Sequence, residues 1–156
     1  MVKSKKPIKI GLITSSGGHL FKLYQLKSWW NKYPHFFVTQ NDPFANNLLK
    51  NHQIYHANFP ENRNITNFFK NLILAYKILS KEKPQLLFST GAGIAPPFFI
   101  IAKLLGIKTI FMETFILIPK PTLSGKILYH LTNYFLVQNK QLLKTYPQAR
   151  FWGSCL

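Results

Sequence analysis

Acidic side chains are scarce in this sequence. Four aspartates and glutamates stand against 20 lysines and arginines, a formal charge of +16. That balance says nothing about fold. It calls for an anionic partner: a membrane surface, a nucleic acid or a phosphorylated substrate, with a merely solvated basic face as the plain alternative. Cysteine is reduced to Cys155, which excludes an internal disulfide and fits a reducing compartment. Long apolar runs are missing as well. The stretch from Ile94 to Ile118 is broken by Pro96, Pro97, Lys103, Gly106, Lys108 and Glu113, which argues against a spanning helix. The basic start, Met1 to Pro7, leads into an apolar run too short for a signal peptide. The expectation is a protein at the cytoplasmic face of the cell membrane, attached peripherally. No metal-ligand spacing joins His35, His52, His56 and His130, and no Walker loop or dinucleotide fingerprint is present, so no metal and no other cofactor is predicted. No helix-turn-helix, RNP-like or zinc pattern supports a nucleic-acid partner, and none is predicted.

What the sequence does carry is a strand, a small-residue turn and a helix in succession. Ile8 to Thr14 is a short continuous apolar run, the mark of a buried parallel strand. Ser15-Ser16-Gly17-Gly18-His19 follows, and then a helical pattern over Leu20 to Lys32 with Leu20, Leu23, Tyr24, Leu26 and Trp30 as its apolar stripe. This arrangement turns backbone N–H groups toward an anion, at the place where a parallel sheet keeps its ligand crevice. Further strands are predicted at 35–40, 53–56, 86–89, 108–112 and 134–137. Helices are predicted at about 44–51, 65–83, 94–105, 124–131 and 140–145, and 58–64 reads as a loop. Alternation of this kind gives a parallel sheet with helices on both faces, an α/β Rossmann-like domain.

A second small-residue turn, Thr90-Gly91-Ala92-Gly93, follows the strand at 86–89, and Glu113 closes the strand at 108–112. In a Rossmann-like sheet the two turns and Glu113 converge on one crevice. His19 is the first candidate base, because imidazole titrates near neutral pH and a helix N-terminus disfavours its cation. Glu113 is the alternative base or the group that orients His19. Ser15, Ser16, Gly17 and Gly18 would approach a phosphate or sugar, with Thr90, Gly91 and Gly93 as the facing wall. Each piece has a plainer reading: a tight turn, a capping histidine, a carboxylate paired with a lysine. The helix at 65–83 carries Phe68, Phe69 and Tyr76 among lysines, which suits either a membrane-facing surface or a core stripe.

Several motifs occur in order after the first turn: Ser89 to Gly93, Glu113-Thr114-Phe115, Pro121-Thr122-Leu123-Ser124-Gly125-Lys126, Phe135 to Gln138, Tyr146-Pro147 and Trp152-Gly153. Ser15 to His19 resembles the opening of GT-B glycosyltransferases of the MurG type. The whole series, from Ile8 to Leu156, resembles the PssD family. These are bacterial relatives of the membrane-anchored subunit of the eukaryotic transferase that adds the second N-acetylglucosamine to a dolichol-linked sugar. The resemblance implies that residues 1–156 form a single Rossmann-like acceptor-binding domain, equivalent to the N-terminal half of a GT-B enzyme. It implies a hexosyltransferase subunit active only with a PssE-like donor-binding partner, through which the UDP-sugar is bound. The implied acceptor is a polyprenyl-diphosphate-linked sugar, and the implied product is a capsule or exopolysaccharide. Two departures bear on sugar specificity: Ile116-Leu117 stands where relatives carry an arginine, and Asn139 follows Val137-Gln138 where they carry tryptophan. Three other readings compete: a self-sufficient small transferase, a non-catalytic membrane recruiter of the donor subunit, and a basic nucleic-acid-binding module.

Overall fold

The computed structural model describes residues 7–61, 63–113 and 120–153. Seven strands form one parallel sheet: β1 (Ile10–Ile13), β2 (His35–Thr39), β3 (Ile54–His56), β4 (Leu86–Ser89), β5 (Lys108–Met112), β6 (Tyr134–Val137) and β7 (Arg150–Phe151). Their order across the sheet is β3-β2-β1-β4-β5-β6-β7. The chain runs outward from β1 to β3, then crosses back to β4 on the other side of β1. That reversal opens a crevice beyond the carboxyl ends of β1 and β4.

Side chains alternate between the two faces along every central strand. Ile10, Leu12, Phe37, Phe88 and Met112 pack under α1 (Gly18–Gln25), α2 (Lys27–Trp30) and α3 (Pro43–Leu48). Ile13, Phe36, Val38, Leu87, Phe111 and Phe135 pack under α4 (Ile65–Glu82), α5 (Ala95–Leu104) and α6 (Leu123–Tyr129). Gly11 is needed where it stands. A Cβ there would lie 2.4 Å from Leu87 Cδ2 and 2.9 Å from Phe36 Cζ, so only glycine lets these two core side chains meet over β1.

The predicted helix at 20–32 is two helices. It begins at Gly18 and breaks at Leu26, whose N–H turns back to the Leu23 carbonyl. The cause is Trp30. Its indole N–H donates to the same Leu23 carbonyl at 2.9 Å, and its ring is buried edge-on against Phe37, His35 and His52. Seating that ring re-aims the last turn. The expected helix at 140–145 is a 3-10 turn, Lys140–Lys144, and β7 is a strand that the sequence pattern does not predict, because two residues carry no period.

In α4 the inward side is Asn71, Ala75, Ile78, Leu79 and Glu82. Ile65, Phe69, Ile73 and Tyr76, spaced four, four and three apart, point to solvent with 57–73% of their surface exposed. The core reading of this stripe is therefore wrong for Phe69 and Tyr76. No helix among the described residues is long and apolar enough to cross a membrane.

Candidate functional site

The crevice at the switch point has a volume of about 1030 Å³. Its polar floor is built by Ser15, Ser16, His19, Gln40, Glu61 and Glu113, and its apolar wall includes Phe59, Ile65, Phe68, Leu123 and Ile127. Both predicted turns reach it. Gly17 takes the left-handed region (φ 78°), which lets the chain enter α1 directly from the turn. A side chain at Gly17 or Gly18 would meet nothing within 4 Å, so the turn faces open space. In the second turn the left-handed residues are Gly91 and Ala92, and Gly91 N–H is taken by Ser89 Oγ at 3.1 Å. Gly91 and Gly93 line the crevice, whereas Thr90 is buried behind it.

Thr90 instead fixes His19. Its hydroxyl donates to the His19 carbonyl at 2.8 Å, and its own carbonyl lies 3.1 Å from His19 Nδ1. A carbonyl can only accept, so the neutral ring carries its proton on Nδ1 and its lone pair on Nε2. Burial lowers the His19 pKa below the ordinary histidine value. The Thr90 contact and the Glu61 charge oppose that shift, and Lys22 adds to it. Burial thus favours the neutral ring.

Glu113 lies in the same crevice but is 1% exposed. Its carboxylate accepts from the Thr122 hydroxyl at 2.9 and 3.2 Å, while Thr122 Oγ1 accepts the Gly125 N–H at the start of α6. A Cβ on Gly125 would lie 1.7 Å from Glu113 Oε2. This carboxylate ties β5 to α6. Burial and then the Glu113 charge push the Tyr146 hydroxyl pKa up, which keeps that phenol protonated.

The carboxylate whose charge bears on His19 is Glu61, which sequence reasoning missed. Ser15 Oγ donates to its Oε1 at 2.6 Å. Arg63, also missed, lines the crevice from the same loop with a left-handed φ of 52°. Nothing in the local pattern of 58–64 betrays either role. Thr114 and Phe115 of the predicted Glu113 motif, and Ile116, Leu117 and Cys155, lie outside the described residues. Of the three predicted membrane-facing residues, Phe69 and Tyr76 face outward from α4, and Phe68 is half-buried in the crevice wall.

A doubly wound parallel sheet with its crevice at this switch point is a Rossmann-like α/β fold. The solved structure of Acinetobacter baumannii MurG has the same fold, with a TM-score of 0.79 over 95% of this chain and 46% of that one, at 17% identity. The family model described as "Oligosaccharide biosynthesis protein Alg14 like" matches residues 10–155, and the chain belongs to that family. The human "UDP-N-acetylglucosamine transferase subunit ALG14" is 25% identical over 97% of this chain and 85% of its own length. The Borreliella burgdorferi "UDP-N-acetylglucosamine--N-acetylmuramyl-(pentapeptide) pyrophosphoryl-undecaprenol N-acetylglucosamine transferase" is 27% identical over 89% of this chain. The aligned part is 43% of that enzyme, so the chain spans less than half of it.

Proposed function

We infer that this chain is the membrane-associated, acceptor-binding subunit of a two-protein, UDP-sugar-dependent glycosyltransferase. Its acceptor is a polyprenyl-diphosphate-linked sugar at the cytoplasmic face of the membrane, and its product belongs to a capsule or exopolysaccharide. The chain is a glycosyltransferase subunit by family. A PssE-like partner supplies the donor half of the active site and holds the UDP-sugar.

One observation carries this reading. The crevice joins a polar floor holding a neutral histidine to an apolar wall that continues, through Ile65, into the outward stripe of α4. An amphipathic ligand fits that surface: sugar and diphosphate against the floor and the two turns, prenyl chain along the wall. Arg63 at the crevice is available to the diphosphate.

In the transfer, His19 Nε2 takes the proton of the acceptor hydroxyl as its oxygen attacks the anomeric carbon. The bond from that carbon to the UDP oxygen breaks, UDP leaves with the bonding pair, and the anomeric configuration inverts. Thr90 holds the ring in the tautomer this needs.

Co-purification tests the assembly. The tagged chain, gently solubilised from its host, is expected to bring a second small protein in equal amount, with UDP-sugar bound by the pair and not by this chain alone. A chain that purifies alone and turns over UDP-sugar unaided overturns the two-protein reading. Retention on DNA in place of the partner would favour the nucleic-acid module.

A further inference from the structure

Among the described residues of the crevice, one carboxylate oxygen is left without a donor. Among the described residues Glu61 Oε2 is shut off from solvent without a hydrogen-bond partner, while Oε1 of the same carboxylate is held by Ser15 at 2.6 Å. A carboxylate oxygen buried without a donor is costly, and Glu61 lines the crevice, so a small turn of its side chain toward the lumen lets a ligand supply the missing donor. The site is built for this. Asn71, buried on α4, accepts from Asn58 N–H at 2.8 Å and donates to the Asn58 carbonyl at 3.0 Å. Asn67 donates to the Pro60 carbonyl at 2.9 Å, and Asn64 caps α4 through Asn67 N–H. Three side-chain amides thus fix the loop on both sides of Glu61.

We propose that Glu61 recognises the acceptor sugar, its Oε2 taking the hydrogen of a sugar hydroxyl beside His19. The missing donor must be neutral or cationic, since a carboxylate repels a diphosphate. Among the parts of a polyprenyl-diphosphate-linked sugar, only the sugar has O–H and N–H groups to give. Ser15 sets the carboxylate plane, and Glu61 lies close enough for its charge to bear on His19. Both residues line the same crevice, so Glu61 and His19 face one ligand. The proposal rests on the acceptor-site reading above.

The test uses two short-chain probes with the full chain: farnesyl diphosphate, and the same lipid diphosphate bearing N-acetylglucosamine. The parent chain is expected to bind the sugar-bearing probe more tightly. Glu61→Gln keeps the shape and an oxygen for Ser15 but replaces the free acceptor with a donor. It is expected to weaken the sugar-bearing probe by about 10- to 100-fold, the worth of a hydrogen bond to a charged group. Binding of the bare lipid diphosphate should be unchanged or tighter. Equal weakening of both probes assigns Glu61 a structural role and overturns the proposal, as does an unchanged preference for the sugar. If the parent chain binds neither probe, the acceptor-site reading itself falls, and the proposal falls with it. Ser15→Ala gives an independent check: it loosens the carboxylate and should cost the sugar-bearing probe more than the bare one.

Discussion

At the residue scale, the proposed chemistry rests on a histidine whose proton position is set by backbone. Thr90 grips His19 at both its carbonyl and its ring. His19→Ala in the assembled pair should lower turnover by about 10²- to 10⁴-fold, the usual worth of a positioned base, with acceptor KM little changed. Turnover within a few-fold of the parent would leave the chain a recruiter of its partner. The same residue and His52 set the acid response. Burial lowers both pKa values, and for His52 the neighbouring His35 and Lys27 lower it further. Between those depressed values and the unfolded value near 6.5, the unfolded chain binds more protons than the folded one. Stability contributed by these neutral rings is therefore whole above about pH 6.5 and is lost as pH falls below it. His52 Nδ1 lies 3.0 Å from His35 Nε2, and His35 Nδ1 lies 2.7 Å from the Tyr33 carbonyl, a chain that needs at least one neutral ring. The melting temperature should fall between pH 7 and pH 5, and less steeply in His52→Gln. A flat profile for the parent would remove both histidines from the account.

At the scale of elements, the decisive piece is the loop between β3 and α4. Asn71 is 1% exposed and spends both ends of its amide on Asn58. Asn71→Ala leaves a buried N–H and carbonyl unpaired, which costs roughly 2 kcal/mol. For a chain of this size that is about 4–8 °C in melting temperature by calorimetry. The sugar preference assigned to Glu61 should weaken with it, because the loop loses its anchor. No change in either would mean the loop is held by other contacts. This loop also marks what could be read in advance. Strands such as 35–39 and 86–89 are legible because burial on both faces demands unbroken apolar residues. The first turn is legible because an entry into α1 with φ 78° demands glycine at position 17. Glu61 has no such mark. Its partner Ser15 is 46 residues away, and three asparagines around it read as an ordinary polar loop. The break at Leu26 was hidden for the same reason: it comes from where Trp30 is buried, not from any helix-breaking residue.

For the whole molecule, the distribution of charge matters more than its sum. Of the four acids, Glu61 and Glu113 line the crevice. Asp42 lies beside the first turn: burial pushes its pKa up, but the Ser16 hydroxyl and the Ala45 and Phe44 amides bring it below the usual value. Glu82 is bound to Lys9, Tyr55 and Gln53 at the amino ends of the strands. Outside these two clusters the described charges are basic. Lys70, Lys77 and Lys81 flank the exposed Ile65, Phe69, Ile73 and Tyr76 of α4. Near an anionic leaflet each such lysine contributes about 1 kcal/mol, an effect that fades with salt as the Debye length falls from about 10 Å at 0.1 M to about 3 Å at 1 M. Inserted apolar side chains contribute about 1.5–3 kcal/mol each, with no salt dependence. Vesicle flotation separates the two. The chain should float best with phosphatidylserine vesicles at low salt, less well with phosphatidylcholine alone, and at 1 M salt lose the share of binding that the lysines supply. Phe69→Asp combined with Ile73→Asp should remove what salt leaves, at little cost to folding, since both residues are more than half exposed. Binding that ignores both salt and lipid charge would discard the electrostatic part. Undiminished flotation of the double variant would move the contact away from α4, and would remove the proposed continuity between membrane and crevice by which a lipid-linked acceptor would reach His19 from the bilayer.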